Sequence, residues 1–165
     1  MGTTTRTPQA CAARSGFTLI ELLASMAIVG TLSAMAIPKV TDAVDRAKVA
    51  KAIEDIRTIQ TDLAYLDAKD SLPASLSEIG WGGKQDPWGR PYIYFPFPPR
   101  KDTGKGRQAP AEARRDRFLV PINSTYDLYS MGKDGATVAA LTAGASQDDV
   151  VRANDGGFVG LGRSY

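Results

Sequence analysis

From Phe17 to Ile37 the chain runs through 21 residues, all apolar or small except for a single charge, Glu21. As a helix this run extends about 31 Å at 1.5 Å per residue, which matches the hydrocarbon thickness of a bilayer. It is therefore predicted to span a membrane. A secretory signal peptide is the competing assignment, but its apolar core usually runs about 7–15 residues and ends at an A-x-A-like site. The run here is longer, no such site follows it closely, and it carries an acid. Arg6 and Arg14 precede it, and the positive-inside rule puts that flank in the cytoplasm and the body on the far side.

The rest of the sequence has the composition of an ordinary globular chain. With 165 residues, 43% hydrophobic and 23% charged, it suits one head with attachments, and neither a disordered polymer nor a polytopic membrane protein. The net charge of +2 comes from the first sixteen residues, which hold Arg6, Arg14 and no acid; beyond them 18 basic residues face 18 acidic ones. A neutral body gives no electrostatic reason to expect nucleic-acid binding. Histidine is absent, which excludes His-dependent triads and His-ligated metals. The single cysteine, Cys11, cannot close an internal disulfide.

The junction Ser15-Gly16-Phe17-Thr18-Leu19-Ile20-Glu21 resembles the class III leader junction of type IV pilins and type II secretion pseudopilins. The resemblance implies that a prepilin peptidase cuts after Gly16 on the cytoplasmic side and methylates the new amine of Phe17. Residues 1–16 are then a cleaved leader, 17–39 a transmembrane and assembly helix, 40–68 an amphipathic helix and 69–165 the head. Pro38 falls where many relatives carry a helix-kinking or locally melted proline, because proline removes one helical hydrogen bond and crowds the preceding turn.

A carboxylate within the membrane costs a few kcal/mol unless paired. For Glu21 the resemblance supplies a partner, the cationic N-terminus of the adjacent subunit in a filament, so that a wrong axial register leaves a buried charge. The alternative is a carboxylate near enough to the helix start to snorkel to the interface. Gly30, Ser25, Ser33 and the alanines would allow close helix packing, in a filament core or in any membrane anchor.

Beyond Pro38, Val40, Val44, Val49, Ile53, Ile56, Leu63 and Leu66 recur at mostly helical spacing, predicting one amphipathic helix to about Leu66 or Ala68 whose apolar stripe packs under a sheet. Asp42, Asp45, Arg46 and Lys48 form a polar band, and Ser71-Leu72-Pro73 marks the exit. Residues 71–89 read as loop, plugged to the core by Leu76, Ile79, Trp81 and Trp88. Three short strands are predicted at Tyr92–Phe95, Phe118–Val120 and Tyr126–Ser130. The fold class is α+β and pilin-like: a long N-terminal helix on a small antiparallel sheet, with a C-terminal loop. Aromatics between Trp81 and Phe97 fit core packing better than a stacking platform. The connection Arg100–Arg117 holds seven basic and three acidic residues and reads as an exposed insertion with some scope for contacting an acidic partner. Asn123-Ser124-Thr125 fits the glycosylation pattern but is better read as a turn.

Asp86-Pro87-Trp88-Gly89-Arg90-Pro91-Tyr92 resembles the DPWG-x-PY signature of the major pseudopilin, or protein G, family of type II secretion. Tyr126 to Gly135 resembles that family's YDLYS-x-G-x-DG segment. The cysteine pair general in major type IVa pilins is missing. The family implies calcium in the C-terminal loop, and by resemblance its ligands fall on Asp134, Asp148 and Asp149 with the Met131 carbonyl. Calcium takes six to eight oxygens, which such a loop can offer; the alternative is that these acids cap turns.

The resemblance implies a non-enzymatic subunit of a type II secretion pseudopilus, anchored in the bacterial inner membrane with its head periplasmic. It would polymerise with copies of itself, alongside minor pseudopilins and an inner-membrane assembly platform, to drive export across the outer membrane. The alternatives are a type IV pilus subunit serving adhesion, motility or DNA uptake, and a membrane-anchored periplasmic enzyme. Against the enzyme stand the missing His, the lack of Cys after Gly16 and the absence of a nucleophile motif such as G-x-S-x-G.

Overall fold

The computed structural model describes residues 16–69, 71–99 and 107–165. The leader up to residue 15 and residues 100–106 of the basic connection lie outside the described residues. The chain divides into two compact units, Met1–Asp42 and Ala43–Tyr165, with the boundary inside helix α1 (Leu19–Asp67, 49 residues).

In the first unit the apolar residues of α1, from Leu19 through Ile37, are exposed on every side. The helix is long and apolar enough to cross a membrane. Pro38 lies within α1 and does not end it. The missing Pro38 amide leaves the Ala34 carbonyl without its usual donor, and the Thr41 hydroxyl donates to the Pro38 carbonyl at 2.8 Å.

In the second unit α1 buries Ala52, Ile56, Ile59 and Leu63, spaced four, three and four apart on one face. Val40 and Val44 are exposed and Val49 is half-buried, so the packed stripe begins later than expected. It is centred on Ala52 and Ile59, which the apolar spacing from Val40 passes over. The partner of this face is a four-stranded antiparallel sheet in chain order: β1 (Ile93–Pro96), β2 (Tyr126–Ser130), β3 (Val150–Ala153) and β4 (Phe158–Leu161). Ile93 faces Tyr129 across β1 and β2, and Val150 faces Leu161 across β3 and β4.

The helical stripe packs with Leu76, Tyr92, Tyr126, Leu128 and Val150, and with Trp81 and Trp88 at the margin. Two helix acids fasten this layer: Tyr92 donates to Asp55 at 2.8 Å and the Trp81 indole donates to Asp62 at 2.9 Å. The opposite face of the sheet carries a second cluster, Ile122, Leu141, Val151 and Ala153, with Tyr129, Phe158 and Tyr165 against it. The head is therefore layered as helix, sheet and C-terminal loop.

Two strand expectations change. Phe118–Val120 forms no strand; all three side chains are exposed, and the segment is pinched into a turn by the Asp116 amide donating to the Leu119 carbonyl at 2.9 Å. Pro121, which has no N–H, follows directly. Instead, the tail expected to be loop supplies β3 and β4. Asn123 is buried and holds β3, donating to Asp127 at 2.9 Å and to the Arg152 carbonyl at 3.0 Å, which makes it a structural residue.

Candidate functional site

At the N-terminal end, Gly16, Phe17 and Thr18 precede α1, and the Phe17 side chain is exposed. Thr18 and Glu21 form a reciprocal cap. The Thr18 amide and hydroxyl each donate to Glu21 Oε2 at 2.8 Å, and the Glu21 amide donates back to Thr18 Oγ1 at 3.4 Å. This is the T-x-x-E capping box, which satisfies two otherwise unpaired donors at a helix start. The T-x-x-E spacing is legible in the sequence, and it adds helix capping to the assembly and snorkelling roles of Glu21. Ser25 donates to the Glu21 carbonyl at 2.7 Å, turning its hydroxyl back onto the helix.

In the head, the two segments that resemble pseudopilin signatures meet. Asp86, buried, accepts from the amides of Trp88 at 3.0 Å and Arg90 at 2.8 Å with one oxygen, and from the Ser130 hydroxyl at 2.6 Å with the other. Arg90 then reaches into the loop after β2, donating to the carbonyls of Gly132 at 2.6 Å and Lys133 at 3.1 Å. Gly132 and Gly135 have φ of +61° and +72°. A Cβ on Gly132 would sit 2.2 Å from the Asp148 carbonyl oxygen, and one on Gly135 would sit 2.5 Å from the Arg90 guanidinium carbon. Glycine is needed at both places for backbone conformation and for close approach.

A second polar cluster lies against the far face of the sheet. Arg114 and Asp149 are 3% and 0% exposed, and the guanidinium reaches Asp149 Oδ2 at 2.7 Å. Arg114 also donates to the Thr137 hydroxyl and, at 3.2 Å, to the Val138 carbonyl, while it stacks 3.6 Å from the Tyr129 ring centroid. Thr137 donates to the same Asp149 oxygen at 2.7 Å. Burial pushes the Asp149 and Asp127 carboxyls above the usual carboxylate range despite these donors.

The model of the prokaryotic N-terminal methylation motif matches residues 11–37. Type II secretion system core protein G of Pseudomonas aeruginosa is 31% identical over 144 residues, covering 74% of this chain and 85% of that protein. This chain belongs to the core protein G family, the major pseudopilins. A fimbrial protein of Pseudomonas aeruginosa is 40% identical over 65 residues, but this pseudopilin covers only 42% of it. The type IV major fimbrial protein FimA of Dichelobacter nodosus is 36% identical over 72 residues, 44% of its length. No solved structure matches the chain.

Of the calcium ligands implied by resemblance, Asp134 and Asp148 meet in this pseudopilin. Asp148 Oδ2 accepts the amides of Lys133 at 2.8 Å and Asp134 at 2.9 Å, Asp134 Oδ1 accepts the Ala136 amide at 2.8 Å, and the Met131 carbonyl accepts the Gly135 amide at 3.2 Å. Asp149 is paired with Arg114. Among the described residues no three acids gather to hold a metal ion. Asp148 and Asp134 act as turn caps, the use of aspartate that loop chemistry favours. Asp155 likewise accepts from the amide and hydroxyl of Ser124, at 2.8 and 2.7 Å.

Proposed function

We propose that this pseudopilin is a structural subunit of a type II secretion pseudopilus. Prepilin peptidase would cut after Gly16 and methylate Phe17. The mature chain would be stored in the inner membrane with its N-terminus cytoplasmic and its head periplasmic. There it would be drawn, copy upon copy, onto a filament started by minor pseudopilins and built on an inner-membrane platform. The role needs no catalytic step, and a chain without histidine, whose polar clusters are spent on its own loops, suits it. The observation that carries this reading is coverage: the match to core protein G takes in 85% of that protein, whereas the fimbrial matches take in less than half of theirs.

The test is deletion of the gene in its own host. The pseudopilus reading expects exported enzymes to accumulate in the periplasm, with surface pili and twitching motility unchanged and secretion restored by the wild-type gene. Intact secretion with loss of surface pili would assign the chain to a pilus instead.

A further inference from the structure

We infer that the turn Phe118-Leu119-Val120 of one head seats in the groove over β1 of the next copy, a head-to-tail contact that repeats along a filament. It rests on the reading of the chain as a filament subunit and names the head surfaces that touch. The turn is an exposed apolar knob. Phe118, Leu119 and Val120 are 87%, 50% and 73% exposed, and the Asp116 amide, donating to the Leu119 carbonyl at 2.9 Å, closes the turn that presents them. Three large apolar side chains in a row hold area that water disfavours, and such patches mark contact surfaces.

The groove has a volume of about 530 Å³ and lies between Ile93, Phe95 and Tyr129 of the strands and Val138 and Ala139 of the loop after β2. The hydrophobic cluster on that side of the sheet takes in no residue of β1, which leaves Phe95 and Val138 exposed. Pro91, Pro96, Pro98 and Pro99 lie in or beside β1. They deny its edge a full row of amide donors, so the groove suits a knob of side chains better than an added strand.

Knob and groove sit toward opposite edges of the sheet. The groove is over β1, the first strand in the order, whereas Phe118 shares a hollow with Gly162, Arg163 and Tyr165, which follow β4, the last. Between them Arg115 is bridged to Ala140, its amide donating to the Ala139 carbonyl at 2.9 Å, so the knob is held away from its own groove. Two complementary patches set apart on one chain make a heterologous contact, which builds an open helix wherever its rotation does not close a ring. Charge agrees with this pairing. Exposed Arg117 flanks the knob and exposed Glu112 rims the groove, and among the described residues neither is in an ion pair. Opposite rim charges fix the register of such a contact.

The test uses the full chain, expressed with its own assembly machinery. The sequence after Gly16 has no cysteine, so thiols can be introduced singly or in pairs. Filaments carrying Leu119→Cys together with Val138→Cys should give a ladder of dimers, trimers and longer covalent chains on oxidation with copper phenanthroline, while each single variant stays monomeric. Phe118→Asp, on the exposed knob, should lower polymer yield by about tenfold or more at unchanged processing and membrane level. Arg117→Glu and Glu112→Arg should each lower it, and the two combined should restore it. Normal polymer from Phe118→Asp beside wild-type polymer overturns the inference alone, as does a charge swap without rescue. Dimers from Leu119→Cys by itself would make the contact isologous and overturn it. So would cross-linking of that thiol to a different protein, or its protection from a membrane-impermeant maleimide in spheroplasts without filaments, which would put the knob in a bilayer. If wild type forms no filaments at all, the subunit reading falls and this contact with it.

Discussion

The Ser130 hydroxyl donates to Asp86 at 2.6 Å, and this bond fastens the turn before β1 to the end of β2 across 44 positions of sequence. Both residues are buried. The other Asp86 oxygen holds the Trp88 and Arg90 amides, so one carboxylate orders the turn from which Arg90 reaches the C-terminal loop. Asp86→Ala should destabilise the head by about 3 kcal/mol, and Ser130→Ala by about 1–2 kcal/mol. A double-mutant cycle by urea unfolding in detergent should return a coupling of about 1 kcal/mol or more. Strict additivity would show that the bond contributes nothing.

Processing and assembly separate at Glu21. Mass spectrometry of the mature chain should find Phe17 as a singly methylated N-terminus in wild type, in Glu21→Gln and in Glu21→Ala. The amide in Glu21→Gln retains an acceptor for the Thr18 donors but carries no charge. If the carboxylate pairs with a neighbouring N-terminus, both variants should fail to form filaments while remaining in the membrane. Normal filaments from Glu21→Gln alone would leave helix capping as the requirement.

The two loop glycines should differ in their sensitivity. In Gly132→Ala the new methyl meets the backbone of Asp148, which cannot yield alone; in Gly135→Ala it meets the end of a flexible arginine, which can swing away. Both also place alanine at positive φ, which costs on the order of 1 kcal/mol. Gly135→Ala should cost about 2 kcal/mol with loss of the Arg90 contacts, and Gly132→Ala clearly more, measured as shifts of the unfolding midpoint. Equal costs would mean that the Asp148 loop is soft.

Burial raises the phenols of Tyr92, Tyr94 and Tyr126 above the ordinary value of 10.0, Tyr126 to about 12. Above pH 10 the unfolded chain loses these protons while the folded chain keeps them, so the unfolded state binds fewer protons and stability falls as pH rises. The expected slope is about 1.4 kcal/mol per pH unit for each tyrosine. Circular dichroism between pH 9 and 12 should show unfolding that Tyr126→Phe moves to higher pH. An unchanged onset in that variant would assign the transition to other groups.

Sequence reasoning reached α1, β1 and β2 because their apolar residues recur with a clear period and their turns carry glycine and proline. It missed β3 because Val150–Ala153 is buried along its whole length, so no alternation marks it, and Arg152 reads as solvent-facing. In fact Arg152 is buried, 4.0 Å from the Tyr126 ring centroid, and donates to the Tyr126 carbonyl at 3.1 Å. Phe118–Val120 misled for the opposite reason: three β-forming residues in a row are no strand without a neighbour to pair with. Thr18 and Glu21 were legible as a capping box. Arg114 and Asp149 were not, because 35 residues separate them and the bond that places Arg114, its backbone amide donating to Asp127 at 2.7 Å, is itself a tertiary contact.

The bonds from Tyr92 to Asp55 and from Trp81 to Asp62 have neutral donors. Mobile ions screen the attraction between opposite full charges far more than a directed bond from a phenol or an indole. The exposed Lys133 to Asp45 pair, at 2.6 Å, is of the kind that salt erodes. The grip of the head on its helix is thus set to hold alike in dilute medium and in brine.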